Sequence, residues 1–435
     1  MTTGAPAGVG AELYALVEQL YPIPRSLTGE GVRETLDVVS TIAPVEQVEV
    51  PTGTPVLDWE IPREWNVREA YVVDPSGRRV IDVRDSPLHL VGYSVPVRER
   101  LPLETLKEHL HSLPDRPAWI PYRTSYWRED WGFCVADELL RSLPDGEYEV
   151  VIDASLEPGS LTYGEAFVEG ETEDEVLVSC HVCHPALCND GLAGIAVAAF
   201  LARAVAAAPS RRLSYRFLFV PGTVGSIAWL ARNEETAVRR IEHGLVLACV
   251  GDGGDPTYKK SRRGDAEIDR AVAQVLRDKH VPFSVRDFSP YGYDERQYCS
   301  PGFDLPVGCL MRTPFGEYDE YHTSADDLDL VEPAALEDSL DTCLRVFDLL
   351  ERNGVYVNLK PKGEPRLGRY GLYGSLGGGH HSEERQLALL WVLNLSDGRH
   401  SLLDVAERSG LPFERVAEAG DRLREAGLLA ANGER

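Results

Sequence analysis

VSCHVCHPALCND, residues 178–190, packs two readings of metal chemistry into one stretch. Cys180, Cys183 and His184 spell C-x-x-C-H, the pattern of c-type haem attachment. In the other reading His181 closes the apolar run EVLVSCH, and Asn189-Asp190-Gly191 opens a helix. That would place an imidazole and a carboxylate at one sheet edge, where rigid strand ends suit zinc. A third reading, a cysteine-rich zinc knuckle, lacks the second cysteine pair that knuckle spacing needs. The eight cysteines are scattered through a large chain, and the N-terminal stretch lacks a basic region followed by an apolar one. Reduced thiols and a cytoplasmic location are therefore expected, which disfavours haem attachment.

Outward from this stretch, strand-like and helix-like segments alternate. YEVVIDASL, EVLVSC, YRFLFV, HGLVLACV and LPVGCLMR are short and apolar or β-branched, whereas GLAGIAVAAFLARAVAAA and DAEIDRAVAQVLRDK have helical length and composition. EPAALEDSLDTCLRVFDLLERN predicts a long helix after Pro333. This alternation implies an α/β fold, a mostly parallel sheet with helices on both faces. In such sheets ligands bind beyond the carboxyl ends of the strands.

Between about 50 and 100 the texture changes. AYVVDPSGRRVIDV predicts a hairpin around Asp74-Pro75-Ser76-Gly77 and, with LHLVGYSVPV, a small β-rich inserted domain. A Gly-rich linker at 371–381 precedes three predicted helices, with Ser401 as an N-cap and Gly410 as a stop, the pattern of a C-terminal winged-helix domain. The expected boundaries are 10–50 with 115–358 for a discontinuous α/β domain, 51–114 for the nested β-rich domain and 380–435 for the winged helix.

The net charge of −26 argues against nucleic acid and anionic membranes as main partners. No apolar run is expected to approach the ~20 residues of a membrane span. From 383 to 435, seven arginines against ten acidic residues leave a net charge of −3, so DNA is an unexpected partner despite the winged-helix pattern. A small-molecule or peptide-like substrate is the expected partner, and a homo-oligomer is compatible with the sequence.

Four residues at separate strand ends carry the metal expectation. His181 and Asp190 are joined by Asp252, directly after HGLVLACVG, and by His322 in the polar loop GEYDEYHTSADDLD. Two imidazoles and two carboxylates form the N/O set of a catalytic zinc site with one or two ions.

SCHVCHPALCNDGLAG, YDERQYCSPGFDLPVG and GEYDEYHTSADDLDLV together resemble the aminopeptidase-like zinc proteins, relatives of the co-catalytic zinc aminopeptidases and glutaminyl cyclases. The chain is more similar still to a bacterial subfamily with a nested β domain, which WNVREAYVVDPSGRRVIDV resembles, and a C-terminal winged helix. LYPIPRSLTGEGVRETL resembles its usual opening, so the resemblance spans nearly the whole chain. It implies a zinc-aminopeptidase-like fold. It also implies that His181 is the first imidazole ligand, Asp190 the bridging carboxylate, Asp252 the later aspartate and His322 the last imidazole. The aspartate usual two residues after the first histidine is here Cys183.

The chain departs from the pattern at FVPGTVGS, 219–226, where Gly222 stands in place of the glutamate that serves the family as base. Hydrolysis of this type needs a base to take a proton from the attacking water. By motif position Glu295 and Glu317 are the nearest substitutes, and Arg296 or Arg312 could grip a substrate carboxylate. Three functions are consistent with these residues. They are a zinc-dependent hydrolase of small aminoacyl or peptide-like substrates, a non-hydrolytic cyclase or transferase of a biosynthetic pathway, and a degenerate binding or regulatory module.

Overall fold

A computed structural model describes residues 4–6, 8–372 and 380–432. The chain divides into two compact units, one of Ala5–Gly264 with Ser284–Asp341, the other of Met1–Gly4, Asp265–Phe283 and Thr342–Arg435.

The first unit is organised by an eight-stranded sheet. Its four central strands are parallel neighbours in the order Ser214–Val220, Glu175–His181, Ile241–Leu247 and Val307–Met311. Glu175–His181 is buried at all seven positions, as a strand covered on both faces must be. Alternate side chains therefore enter different cores. Leu177, Leu218, Val220 and Val246 pack with Ile227 and Trp229 of the helix Val224–Asn233. The helix Ala193–Ala207 also packs on the sheet, including the strand Glu175–His181. Antiparallel strands Glu46–Pro51 and Ser160–Val168 extend one edge, and Thr257–Lys259 with Ser284–Arg286 the other.

One expectation changes here. The segment Cys188–Ala207 does have the length and apolar composition of a membrane span, with a mean hydropathy of 1.6, but 78% of that window is buried inside the protein. Its apolar residues are those of a core helix.

The predicted hairpin forms: Val72 pairs with Ile81, and the Asp74 carboxylate accepts from the backbone N–H groups of Ser76 and Arg78. The β module is a four-stranded antiparallel sheet in the order Arg79–Asp82, Glu64–Val73, Glu147–Glu157, Val97–Pro102. Its strand Glu147–Glu157 lies past the expected boundary at 114, because that strand is the partner that completes the ladder of Glu64–Val73. The sequence alone reads this strand as the start of the main sheet, since a strand's partner is not written in its own residues.

In the second unit the three predicted helices appear as His380–Leu395, Leu402–Ser409 and Phe413–Glu425. Ser401 caps the second, its hydroxyl accepting from the Asp404 N–H, and Gly410 ends it at φ 70°. Strands Asp397–Ser401, Val355–Asn358 and Leu429–Ala431 form the wing, so Val355–Asn358 belongs to this unit and not to the α/β domain. The helix Glu267–Asp278 also belongs here. Its Arg270 pairs with Asp404 and Glu407, and its Asp278 accepts from Phe413 N at 2.8 Å. Residues 373–379, most of the expected linker, lie outside those described.

Candidate metal centre

His181 is the last residue of its strand and faces the crevice beyond the carboxyl edge of the sheet. The chain then turns through His184 to the short helical turn Cys188–Leu192, which carries Asp190 and runs into the helix Ala193–Ala207. That turn is held by Asp326, whose two carboxylate oxygens accept from Asn189 N at 2.6 Å and Asp190 N at 3.0 Å. Asn189 in turn accepts from Gly251 N at 2.9 Å and Asp252 N at 3.1 Å, tying the turn to the next strand end. His322 arrives on a loop with its backbone at φ 57°, its carbonyl accepting from Tyr122 N at 2.8 Å. A left-handed conformation at a non-glycine residue is sustained only where the surroundings over-determine it.

These elements bring three imidazoles around one carboxylate. His181 Nε2 lies 3.6 Å from Asp190 Oδ1, while His184 Nε2 and His322 Nε2 lie 3.9 and 3.2 Å from Oδ2. Tetrahedral zinc with ligands at about 2.0–2.2 Å holds its donor atoms roughly 3.3–3.5 Å apart. The donor atoms of His181, His184 and Asp190 all lie within 4.8 Å of one another, a group that could close on an ion, and His322 approaches it from the Asp190 side. The chemistry fits as well, for both ring nitrogens of His181, Nε2 of His322 and Oδ2 of Asp190 are buried without a hydrogen-bond partner. Buried polar atoms are seldom left in that state.

Burial pushes the His181 and His184 imidazoles toward the neutral form that binds a cation. His181 is lowered, and His184 is lowered to about 3 against the pull of Asp190. Burial opposes ionisation of Asp190, but the three imidazoles outweigh it and keep its carboxyl well below the usual range. Tyr293 donates to Asp190 Oδ1 at 2.6 Å and stacks on the His181 ring at 5.1 Å. Tyr321 stacks on His322 at 4.0 Å, and Tyr122 meets the His184 and His322 rings at 5.1 and 5.2 Å. These aromatic contacts help fix the orientation of the rings.

His181, Asp190 and His322 are thus gathered as the ligand pattern anticipates, and Asp252 is not. Its carboxylate is consumed by the hydroxyl and N–H of Thr313 and by Gly254 N. His184 takes the vacant place. The sequence reading treats it only as part of C-x-x-C-H, although its spacing of three from His181 at a strand end is the available signal. None of the cysteines is among the grouped donors His181, His184 and Asp190. All eight are free and buried, and burial raises Cys180 and Cys188 and pushes Cys183 up to about 12, leaving thiols rather than thiolates.

A cavity of about 170 Å³ opens at the cluster, lined among others by His181, His184, His322, Gly222, Asp294 and Arg296. Neither predicted glutamate is among its lining residues. Glu295 is fully buried in an ion pair with Lys259, and Glu317 is half-exposed and held by Arg286, with Nη2 to Oε2 at 2.8 Å. Arg312 is bound to Asp338 at 2.8 Å, whereas Arg296 lines the cavity with a buried Nε that has no partner. Asp294, the neighbour of Glu295, is the carboxyl that reaches the cavity. Burial raises it to about 7, with Glu295 adding to the effect and Ser226 and Arg296 opposing it.

A mostly parallel sheet with an imidazole–carboxylate cluster at its carboxyl edge defines an aminopeptidase-like α/β protein. The zinc aminopeptidase of Bacillus subtilis has the same fold, with a TM-score of 0.55 at 13% identity over 78% of this chain and 93% of that one. A family described as a domain of unknown function (DUF4910) matches residues 14–353, and the chain belongs to it. A winged helix-turn-helix family matches residues 354–431. A protein of Clostridium acetobutylicum, provisionally named a polysaccharide biosynthesis protein with an aminopeptidase-like domain, is 48% identical over 97% of this chain and 96% of its own. A crystal structure from that organism, provisionally named a peptidase, superposes with a TM-score of 0.92 at 47% identity, covering 97% of this chain and 96% of that one.

Proposed function

We propose that this chain is a zinc-dependent hydrolase that cleaves an amide bond in a small aminoacyl or peptide-like substrate, using one ion. The convergence of His181, His184 and His322 on Asp190, with donor atoms of His181, His322 and Asp190 buried and without a hydrogen-bond partner, beside a cavity that the three imidazoles line, carries the reading. A single ion is favoured because the residues that could complete a second site are absent from the cluster, Asp252 being committed to Thr313 and position 222 being a glycine. When bound, zinc supplies a Lewis acid beside the scissile carbonyl. Around it, Tyr293 fixes the orientation of Asp190 and His181, and Arg296 offers a guanidinium to an anionic group of the substrate. Phe315, Tyr291 and Tyr321 line the cavity with aromatic surface that accommodates a side chain.

Metal analysis of protein purified without chelator tests this reading. About one equivalent of zinc, lost in His322→Ala, is expected. Less than a tenth of an equivalent in the parent would remove the hypothesis.

A second reading is a non-hydrolytic biosynthetic enzyme on the same scaffold, favoured by Gly222 and by the biosynthetic name of the Clostridium relative. A screen with aminoacyl anilides and peptides separates the two, since turnover abolished by His181→Ala excludes it.

A further inference from the structure

Position 222 adjoins Asp294. A Cβ placed on Gly222 would lie 3.3 Å from Asp294 Oδ2 and 3.3 Å from the His181 Cβ. Both contacts are tight, so even one carbon there would require the Asp294 carboxylate or the strand end to give way by a few tenths of an ångström. Asp294 therefore holds its carboxylate directly beside the place where a side chain at 222 would begin, next to the strand end that carries His181. We infer that Asp294 performs the proton transfers that a glutamate at 222 would have performed, an inference that rests on the hydrolytic reading above.

The surroundings of Asp294 suit that task. It is 1% exposed and lines the same cavity as His181, His184, His322 and Arg296. Its Oδ1 lies 2.8 Å from the Ser226 hydroxyl, which is also 2.8 Å from the Thr223 carbonyl. A hydroxyl has one hydrogen. With Asp294 ionised, Ser226 donates to it. With Asp294 protonated, the carboxyl donates to Ser226, whose hydrogen passes to Thr223. Both protonation states are accommodated without moving a heavy atom. The backbone that carries Asp294 is equally fixed, because Lys259 pairs with Glu295 and donates to the carbonyls of Ser289 and Tyr291 at 3.3 and 3.0 Å.

The charged groups that act on Asp294 are Glu295 and Arg296, of opposite sign. Cys180, Cys183, Cys309 and Tyr298 also face it, and each is raised by burial and so uncharged near neutrality. The resulting rise of Asp294 to about 7 matches what a group that alternately accepts and returns a proton requires near that pH.

The step balances as follows. As the oxygen of a water molecule bonds to the acyl carbon, the carboxylate of Asp294 takes one of its protons and the carbonyl π pair moves onto oxygen. That pair then returns, the C–N bond breaks, and Asp294 gives its proton to the departing amine nitrogen. Water and amide are consumed, acid and amine are formed, and Asp294 is restored.

The test compares the zinc-loaded parent with Asp294→Asn, measuring zinc content, kcat/KM against pH for the aminoacyl anilide turned over best, and acetohydroxamate binding by calorimetry in two buffers. Carboxyl 13C NMR follows the metal-free proteins. We expect unchanged zinc, a carboxyl resonance titrating near 7 that is absent from the variant, and a kcat/KM lower by about 10²–10⁴-fold with the acid limb lost. Hydroxamate should bind at least tenfold more weakly, with its proton uptake abolished, which decides the matter even if no anilide is turned over. Adding Gly222→Glu to Asp294→Ser should recover at least tenfold in kcat/KM, a gain that a merely structural aspartate would not permit. Equal zinc with kcat/KM or hydroxamate affinity within about twofold of the parent overturns the inference and leaves the hydrolase reading standing. Absence of zinc from both proteins overturns the hydrolase reading and this inference with it.

Discussion

Nε2 of His322 stands 3.2 Å from Oδ2 of Asp190, although one sits on a loop and the other on the turn that opens a buried helix. Two scaffolds produce that approach. Tyr122 N holds the His322 carbonyl, and Asp326 holds the backbone of the Asp190 turn. Asp326 does so as a carboxyl that burial, reinforced by Asp190, raises to about 8.

The identity of the ligand beside the strand end is open to direct test. His184→Ala is expected to reduce bound zinc to below a tenth of an equivalent, whereas Cys183→Ser should retain it, because Cys183 is not among the grouped donors and its Sγ lies 3.7 Å from the Gly222 carbonyl. Metal analysis of both variants checks this, and equal loss from Cys183→Ser would make the thiol a ligand.

Asp294 should leave a signature in stability against pH. Its carboxyl is raised from 3.8 to about 7, so the folded state binds its proton more tightly than the unfolded state does. Stability from this group is therefore full below about 3.8 and is lost as pH rises through 7, by about 4 kcal/mol in all. Relative to the parent, metal-free Asp294→Asn should gain stability between pH 5 and 8. Urea unfolding at the two pH values measures the difference, and parallel changes in both proteins would contradict it.

The buried pair Lys259–Glu295 holds the loop that presents Tyr293, Asp294 and Arg296. Lys259→Met leaves Glu295 as an uncompensated buried charge and is expected to cost about 3–5 kcal/mol. Gly292→Ala should act at the same place, since a Cβ there would collide with both Glu295 and Lys259. The unfolding midpoint in urea reads both effects. A shift worth less than about 1 kcal/mol for Lys259→Met would mean that water or another cation replaces the ammonium.

The winged helix is expected not to bind DNA. In Phe413–Glu425, Arg415 pairs with Glu418 at 2.9 Å and Arg424 lies 3.9 Å from Asp421, so its cations are largely offset within the helix. A mobility-shift assay with the full chain at physiological salt should show no retained duplex. Salt-sensitive, sequence-specific retention would reverse this expectation.

Periodicity was enough for the broad architecture. The continuous apolar run of Glu175–His181 marks a central parallel strand, and the Ser401 and Gly410 signals mark the limits of a helix. The short wing strands were not legible, because residues such as Asp397–Ser401 form a strand only through their pairing with Val355–Asn358.

By itself, then, the sequence determined the alternating sheet and helices, the strand end that carries His181, and Asp190 and His322 as candidate donors, because these follow from local periodicity and motif. Tertiary structure alone decided that His184 and not Asp252 completes the cluster, and that Asp294 and not Glu295 or Glu317 faces the cavity. A carboxylate's role depends on which partner on another element reaches it first. Thr313 engages Asp252, Lys259 engages Glu295 and Arg286 engages Glu317, while the absence of a side chain at Gly222 leaves room for Asp294.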